Sequence, residues 1–204
     1  MVDTVFQRAI NEPATQVAAH SNAAVLERSR LRAATVHQLD PATSRARHVV
    51  TAQRLRAHVD PLEPFLRTAQ TGMNQLHAQL RRAGYVTLLA DTTGLTLAYQ
   101  SNHEFEKAVG RVHLGVGTSY AEADEGTCGV GTCLVEQVPL TIHLREHYLH
   151  RNTGLTCTAA PVFAPTGEML AVLCVGSVGS PDDRHSQQLV TQMVASTARL
   201  IEDA

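Results

Sequence analysis

The residues able to do chemistry crowd into one stretch, Glu125 to Val162. It holds Cys128, Cys133 and Cys157, with His143, His147 and His150 between them. Thiolate and imidazole are zinc and iron ligands, so Cys128, Cys133, His143 and His147 make one candidate metal set. The spacing argues against it. Cys128 and Cys133 form a C-x4-C pair, which matches neither zinc-ribbon nor thioredoxin spacing. On an ideal helix, residues five apart point about 140° from each other. Buried free cysteine commonly behaves as a small hydrophobe, and Cys157 and Cys174, both on expected strands, read the same way. The expectation is no metal and no cofactor, with a metal- or redox-responsive site as the alternative.

Two further chemistries can be weighed on the same stretch. Gly126-Thr127-Cys128-Gly129-Val130-Gly131 followed by Thr132 resembles a phosphate loop, but the lysine that should meet the phosphates is missing. The glycines are better explained by a tight turn entering a helix, whose N-terminal amides could still donate to a ligand oxygen. There is no G-x-S-x-G, no carboxylate pair in a catalytic setting, and nothing that positions a cysteine nucleophile against His147 as base. The chain is expected not to be an enzyme.

These residues need elements to hold them. A short apolar helix is expected from about Thr132 to Glu136, a strand from Pro139 to Leu144, a histidine-rich turn, and a second strand from Leu155 to Phe163. Upstream, Tyr85 to Ala90 and Leu95 to Tyr99 form a hairpin about the turn Asp91-Thr92-Thr93-Gly94. Ser101 or Asn102 would cap a short helix carrying Phe105, Ala108 and Val109. Downstream, a hairpin at Pro165-Thr166-Gly167 leads into an apolar strand, Met169 to Ser177. Hairpins in a meander with flanking helices predict an α+β fold with an antiparallel sheet.

Around this core the helices are periodic. Residues 1–23 read as a loose or partly helical lead-in and 24–83 as a helical region, with 84–204 as the sheet domain. Ala24 to His37 is helical and arginine-rich. Asp40 before Pro41 looks like an N-cap opening a short helix to about Leu55. Leu62, Leu66, Ala69, Met73, Leu76, Leu80 and Ala83 then step alternately by four and three. Ser180-Pro181-Asp182 caps a last helix whose stripe is Val190, Met193, Thr197 and Leu200.

Bulk composition narrows the class. In 204 residues, 44% are hydrophobic and 18% charged, enough for a real core. The net charge of −2 gives no broad footprint for nucleic acid. The apolar run at Leu170 to Val175 is far short of the ~20 residues that span a bilayer. No signal peptide is evident and four scattered cysteines are no disulfide framework, so a cytoplasmic location is expected.

Four segments carry a resemblance: YVTLLADTTGLTL (Tyr85 to Leu97), EGTCGVGTCL (Glu125 to Leu134), VPLTIHLREHY (Val138 to Tyr148) and LTCTAAP (Leu155 to Pro161). They resemble the N-terminal GAF sensor region of bacterial sigma-54-dependent activators, of the acetoin and glycerol-catabolism regulator type. Glu27-Arg28-Ser29 and Leu39-Asp40-Pro41 sit where that family has a short helical motif, and Glu146-His147 resembles its Glu-His pair. The family pattern commonly reads GTNAIGTAL, so here Cys128 replaces an asparagine and Cys133 an alanine.

The resemblance implies a GAF-like sensor whose ATPase and helix-turn-helix domains lie elsewhere in the full-length protein. The pocket is expected between the sheet and the segment 101–150. Its apolar wall would be Leu89, Tyr99, Phe105, Val130, Leu134, Ile142 and Leu173, with polar points at Tyr120, Thr127, Cys128, His143 and His147. Few cations face such a site, which favours a small neutral alcohol, ketone or diol over a phosphate. The two helical stripes, with the family's oligomeric habit, predict a homodimer through helices 62–83 and 190–200, with no direct nucleic-acid or membrane partner.

Overall fold

In the computed structural model the backbone is described for residues 14–101, 106, 115–178 and 184–203. Among the described residues five strands form one antiparallel sheet: β1 (Val86–Asp91), β2 (Thr96–Gln100), β3 (Leu140–His143), β4 (Leu155–Phe163) and β5 (Met169–Val178). Their order across the sheet is β2-β1-β5-β4-β3. The expected meander is therefore corrected at one place, because β5 returns to lie beside β1. The helices among the described residues are α1 (Ala14–Thr35), α2 (Ala52–Val59), α3 (Glu63–Leu80), α4 (Glu122–Glu125), α5 (Gly129–Glu136) and α6 (Arg184–Glu202). No described helix is long and apolar enough to cross a membrane.

The turn after β1 is made by its last side chain. Asp91 Oδ1 accepts hydrogen bonds from the Thr93 and Leu95 amides, and Gly94 supplies a φ of +85°. Asp40-Pro41 does not open a helix. Asp40 accepts from the Ala42 amide, closing a local turn, and the next helix is capped by Thr51, whose hydroxyl accepts from the Arg54 amide. The expected helix over Ser101 to Val109, with Phe105, and the cap at Ser180 to Asp182 lie largely outside the described residues.

A strand's side chains alternate between faces, so the sheet divides its residues cleanly. Leu89, Ala160, Val162, Leu173 and Val175 face α3 and α6. Against them lie Ala69, Met73, Leu76 and Leu80 of α3 with Val190, Val194, Ala198 and Ile201 of α6. The heptad stripe of α3 thus covers the chain's own core, and the two helices pack on each other: a Cβ at Gly72 would come within 2.9 Å of Ile201. On α6 the buried stripe departs from the expected one, and Leu200 is 63% exposed. Val86, Leu88, Cys157, Ala159 and Cys174 face the other way, toward α5.

Candidate functional site

A cavity of about 40 Å³ opens on this second face. Its floor is the sheet: Val86 and Leu88 from β1, Tyr99 from β2, Leu155 and Cys157 from β4, Cys174 and Gly176 from β5. Its roof is Cys128, Gly129 and Val130 at the start of α5, and Tyr120, His147 and Asn152 close the sides. The glycines of the turn serve close packing. A Cβ at Gly129 would sit 2.8 Å from Cys157 Cβ, and one at Gly131 would sit 2.6 Å from the Glu122 amide nitrogen. Either would lift α5 off the structure beneath it.

His147 is placed by the residue pair that precedes it. Glu146 folds back to accept a hydrogen bond from the His143 amide at 2.7 Å, bracing a 3-10 turn. Leu144 takes a φ of +45° there, costly for a leucine, and its carbonyl accepts from the His147 amide and ring Nδ1. Because a carbonyl only accepts, Nδ1 carries the hydrogen, so the uncharged form of the ring presents a lone pair at Nε2. His147 is 3% exposed, and Nε2 has no aligned hydrogen-bond partner.

The cavity holds an unequal pair of thiols. Hydrogen bonding with Cys174 draws the Cys157 thiol well below its ordinary pKa against the cost of burial. The same bond, with burial, holds the Cys174 thiol well above its own. Burial first, then Glu125, raises the Cys128 thiol, whose Sγ donates to the Tyr120 carbonyl at 3.3 Å. Desolvation likewise raises the Tyr120 hydroxyl.

Behind the cavity wall lies a buried charge cluster. Glu125 is fully buried; it accepts from Arg151 at 2.6 Å and from Asn152 Nδ2 at 2.9 Å, and Arg47 Nε lies 3.6 Å away. Arg47 also donates to Asn152 Oδ1 and stands 6.0 Å from the Tyr120 ring centroid. Asn152 is therefore engaged at both ends of its amide.

A second polar cluster fastens α1 to the roof. Ser29 donates to Glu122 and bonds the Thr127 and Thr132 hydroxyls, while Arg32 grips Glu122 with two nitrogens at 2.7 and 3.0 Å. Arg28 and Arg32 both reach Glu136. Farther along, the Leu39 carbonyl accepts the Tyr148 hydroxyl and the Pro41 carbonyl accepts the His150 amide. Of the upstream motifs singled out in the sequence, Glu27-Arg28-Ser29 thus braces the roof and Leu39-Asp40-Pro41 the loop that carries His147.

Of the residues expected at a pocket, Tyr99, Tyr120, Cys128, Val130 and His147 are brought together. Leu89 and Leu173, directly paired in register, face the opposite side of the sheet. His143 points to that side as well, its Nδ1 2.8 Å from the Thr156 hydroxyl. Thr127 is taken up by the Ser29 cluster, while Ile142 and Leu134 pack in the surrounding core without lining the cavity. Phe105 lies outside the described residues. The alternative metal set is not assembled: Cys133 is turned toward the Val138 carbonyl, and no group of three metal-ligating side chains occurs among the described residues. Sequence reasoning missed Leu88, Asn152, Cys157 and Cys174 as lining residues. Counting outward from Cys157 by two would have found the β4 face.

In the crystal structure of the E. coli DhaR(N)–DhaL complex, a chain superposes with a TM-score of 0.76 over 88% of this chain and 61% of that one. At 13% identity that likeness shows a shared GAF-like fold. The acetoin catabolism regulatory protein of Cupriavidus necator is 33% identical over the whole chain. The propane 2-monooxygenase operon transcriptional activator MimR of Mycolicibacterium smegmatis is 31% identical over 74% of it. The chain spans only 31% and 28% of those relatives' lengths. Residues 24–203 match the family described as MimR, N-terminal domain. The chain belongs to that family, the N-terminal regulatory region of transcriptional activators.

Proposed function

We propose that this chain is the effector-sensing part of a sigma-54-dependent transcriptional activator. It binds a small neutral alcohol, ketone or diol between the sheet and α5, in the cytoplasm, and controls ATPase and DNA-binding domains elsewhere in the full-length protein. The observation that carries this reading is the cavity. At about 40 Å³ it has room for a few heavy atoms, since one water needs roughly 10–15 Å³. No lysine or arginine is among its described lining residues, and Arg47 and Arg151 behind it are engaged by Glu125 and Asn152. Phosphates and carboxylates would enter uncompensated. The relatives' names, acetoin catabolism and propane 2-monooxygenase operon regulators, point to small, uncharged or weakly polar effectors. A thermal-shift screen of short alcohols, ketones and diols tests it: stabilisation by one of these is expected, and stabilisation only by anions would overturn the reading.

The proposed homodimer needs a surface other than the α3 stripe, whose Ala69, Met73, Leu76 and Leu80 lie within the chain's own core. On α6, Leu189 and Leu200 are 69% and 63% exposed, and eleven residues is close to three turns, so they share a face. Pairing of two copies along that face is the form of the proposal consistent with the packing. Replacing Leu200 by Glu should give monomers by light scattering, and a wild-type chain that stays monomeric at high micromolar concentration would end it.

The redox alternative moves to other cysteines, Cys157 and Cys174, which neighbour each other on the cavity floor. Oxidation of the protein followed by mass measurement under non-reducing conditions would show two hydrogens lost if they join; unchanged mass removes this reading.

A further inference from the structure

The cavity lining is apolar or already hydrogen-bonded almost throughout. Asn152 uses both ends of its amide, the Tyr99 hydroxyl interacts with Ser101, and the Cys128 thiol donates to a carbonyl. Among the described residues that line the cavity, the buried side-chain nitrogen or oxygen left without a partner is His147 Nε2. With a hydrogen held at Nδ1 against the Leu144 carbonyl, the uncharged form of the ring offers only a lone pair there. A buried acceptor left unpaired is costly, and one that meets a second acceptor is no better off.

We propose that the effector carries a hydroxyl group and donates its hydrogen to His147 Nε2, so that the site selects alcohols over ketones of the same carbon skeleton. This rests on the pocket reading above and narrows it to one chemical class. A ketone brings only an acceptor, which would face the lone pair and leave both groups unpaired. The Cys157 thiol is the competitor for Nε2. It interacts with the ring, but its first hydrogen-bond partner is Cys174, no partner is aligned on Nε2, and thiols are weak donors. A hydroxyl, with shorter and stronger hydrogen bonds, displaces it.

The test uses the 204-residue chain and a matched pair, 2-butanol and 2-butanone, by calorimetry and thermal shift. In the wild type the alcohol should bind about tenfold more tightly, the equivalent of about 1.4 kcal/mol. The variant His147→Asn can keep an amide N–H near the Nδ1 position for the Leu144 carbonyl while removing the acceptor. It should bring the alcohol-to-ketone ratio to about one. Leu88→Phe, which fills the cavity from the floor, should abolish both.

Equal or tighter binding of the ketone in the wild type, with Leu88→Phe still blocking both, sinks the hydroxyl inference and leaves the pocket reading standing. Binding that survives Leu88→Phe, or absent binding of both compounds to folded wild type, sinks the two together. Should His147→Asn unfold, 2-fluorobutane on the wild type decides. It has the alcohol's number of heavy atoms but no donor, so binding as tight as the alcohol's overturns the inference and weaker binding supports it.

Discussion

The two faces of the sheet are built on opposite principles. Toward α3 and α6, side chains such as Leu89, Leu173, Met73, Leu76 and Val194 interdigitate, all of them 1% exposed or less. Toward α5 the same strands present Cys157, Cys174 and Gly176, met by Gly129 from above, and the space left over is the cavity. Large apolar groups packed without gaps give stability, whereas small and polarisable ones leave room for a ligand. Around that space the second face keeps its own apolar core, with Val130, Leu140 and Ile142, and charge and hydrogen bonding brace its edges. Neighbouring residues in one strand therefore do different work according to which way they point.

The largest effect should come from an edge cluster rather than from either apolar surface. Glu125→Ala would leave Arg47, whose side chain is 6% exposed, without its carboxylate. Breaking a buried ion pair by removing one partner costs about 3–5 kcal/mol. Urea denaturation should show a loss of that order; a loss under about 1 kcal/mol would mean Arg47 and Arg151 find water instead.

Next in size is the contrast between adjacent positions. Leu173→Ala, on the helix side, should cost about 3 kcal/mol, within the usual range for a buried leucine. Cys174→Ala, one residue on and facing the cavity, removes one atom and should cost about 1 kcal/mol. Both residues are essentially buried, so burial alone predicts no such gap. Equal losses in urea unfolding would break the distinction between the faces.

How far these faces could be read from sequence depended on whether a second side of each element was polar. On α3 the heptad was plain because its exposed side carries Arg67, Gln70, Thr71, Asn74 and Gln75, so the stripe stood out. The strands β4 and β5 were visible as apolar, β-forming runs with turn residues between them. But β1 is buried along its whole length, and a strand buried on both faces has no alternation to set its parity. Sequence therefore cannot separate Leu88 from Leu89 on β1, nor Cys174 from Leu173 on the equally apolar β5. On α6 the clue was present in Thr197, which made the chosen stripe less apolar. The true one, Val190, Val194, Ala198 and Ile201, is offset from it by one residue after the first position. The crossing of β5 to β1 left no local trace at all, since register between distant strands is set by packing.

A third prediction acts on the cavity alone. A bound effector at a hundredfold excess over its Kd adds about 2.7 kcal/mol to stability. Cys128→Phe, placing a ring where the roof meets the cavity, should erase that gain while the protein remains folded by circular dichroism. Undiminished stabilisation would remove Cys128 from the ligand's surroundings and put the binding elsewhere.

The smallest effect concerns the clamp that α1 places on the roof. Hydrogen bonds from Arg28, and then from Arg32, hold the Glu136 carboxyl below its ordinary value against the opposing cost of burial. A folded pKa below the unfolded one contributes stability above the unfolded value, about 4.3, and loses it as the pH falls through the lowered value. The Arg28 side chain is 55% exposed, so solvent screening keeps the contribution of Glu136 under about 1 kcal/mol. Urea midpoints measured between pH 6 and pH 3 should fall less steeply below pH 4.5 in Arg28→Ala than in the wild type. Arg32 is shared between Glu136 and the buried Glu122, so it should preserve part of the slope. Identical slopes would mean that the surface pair is idle and that α1 is fastened by Ser29, Arg32 and Glu122 alone. The clamp would then depend on its buried members only, as the helix face depends on its leucines.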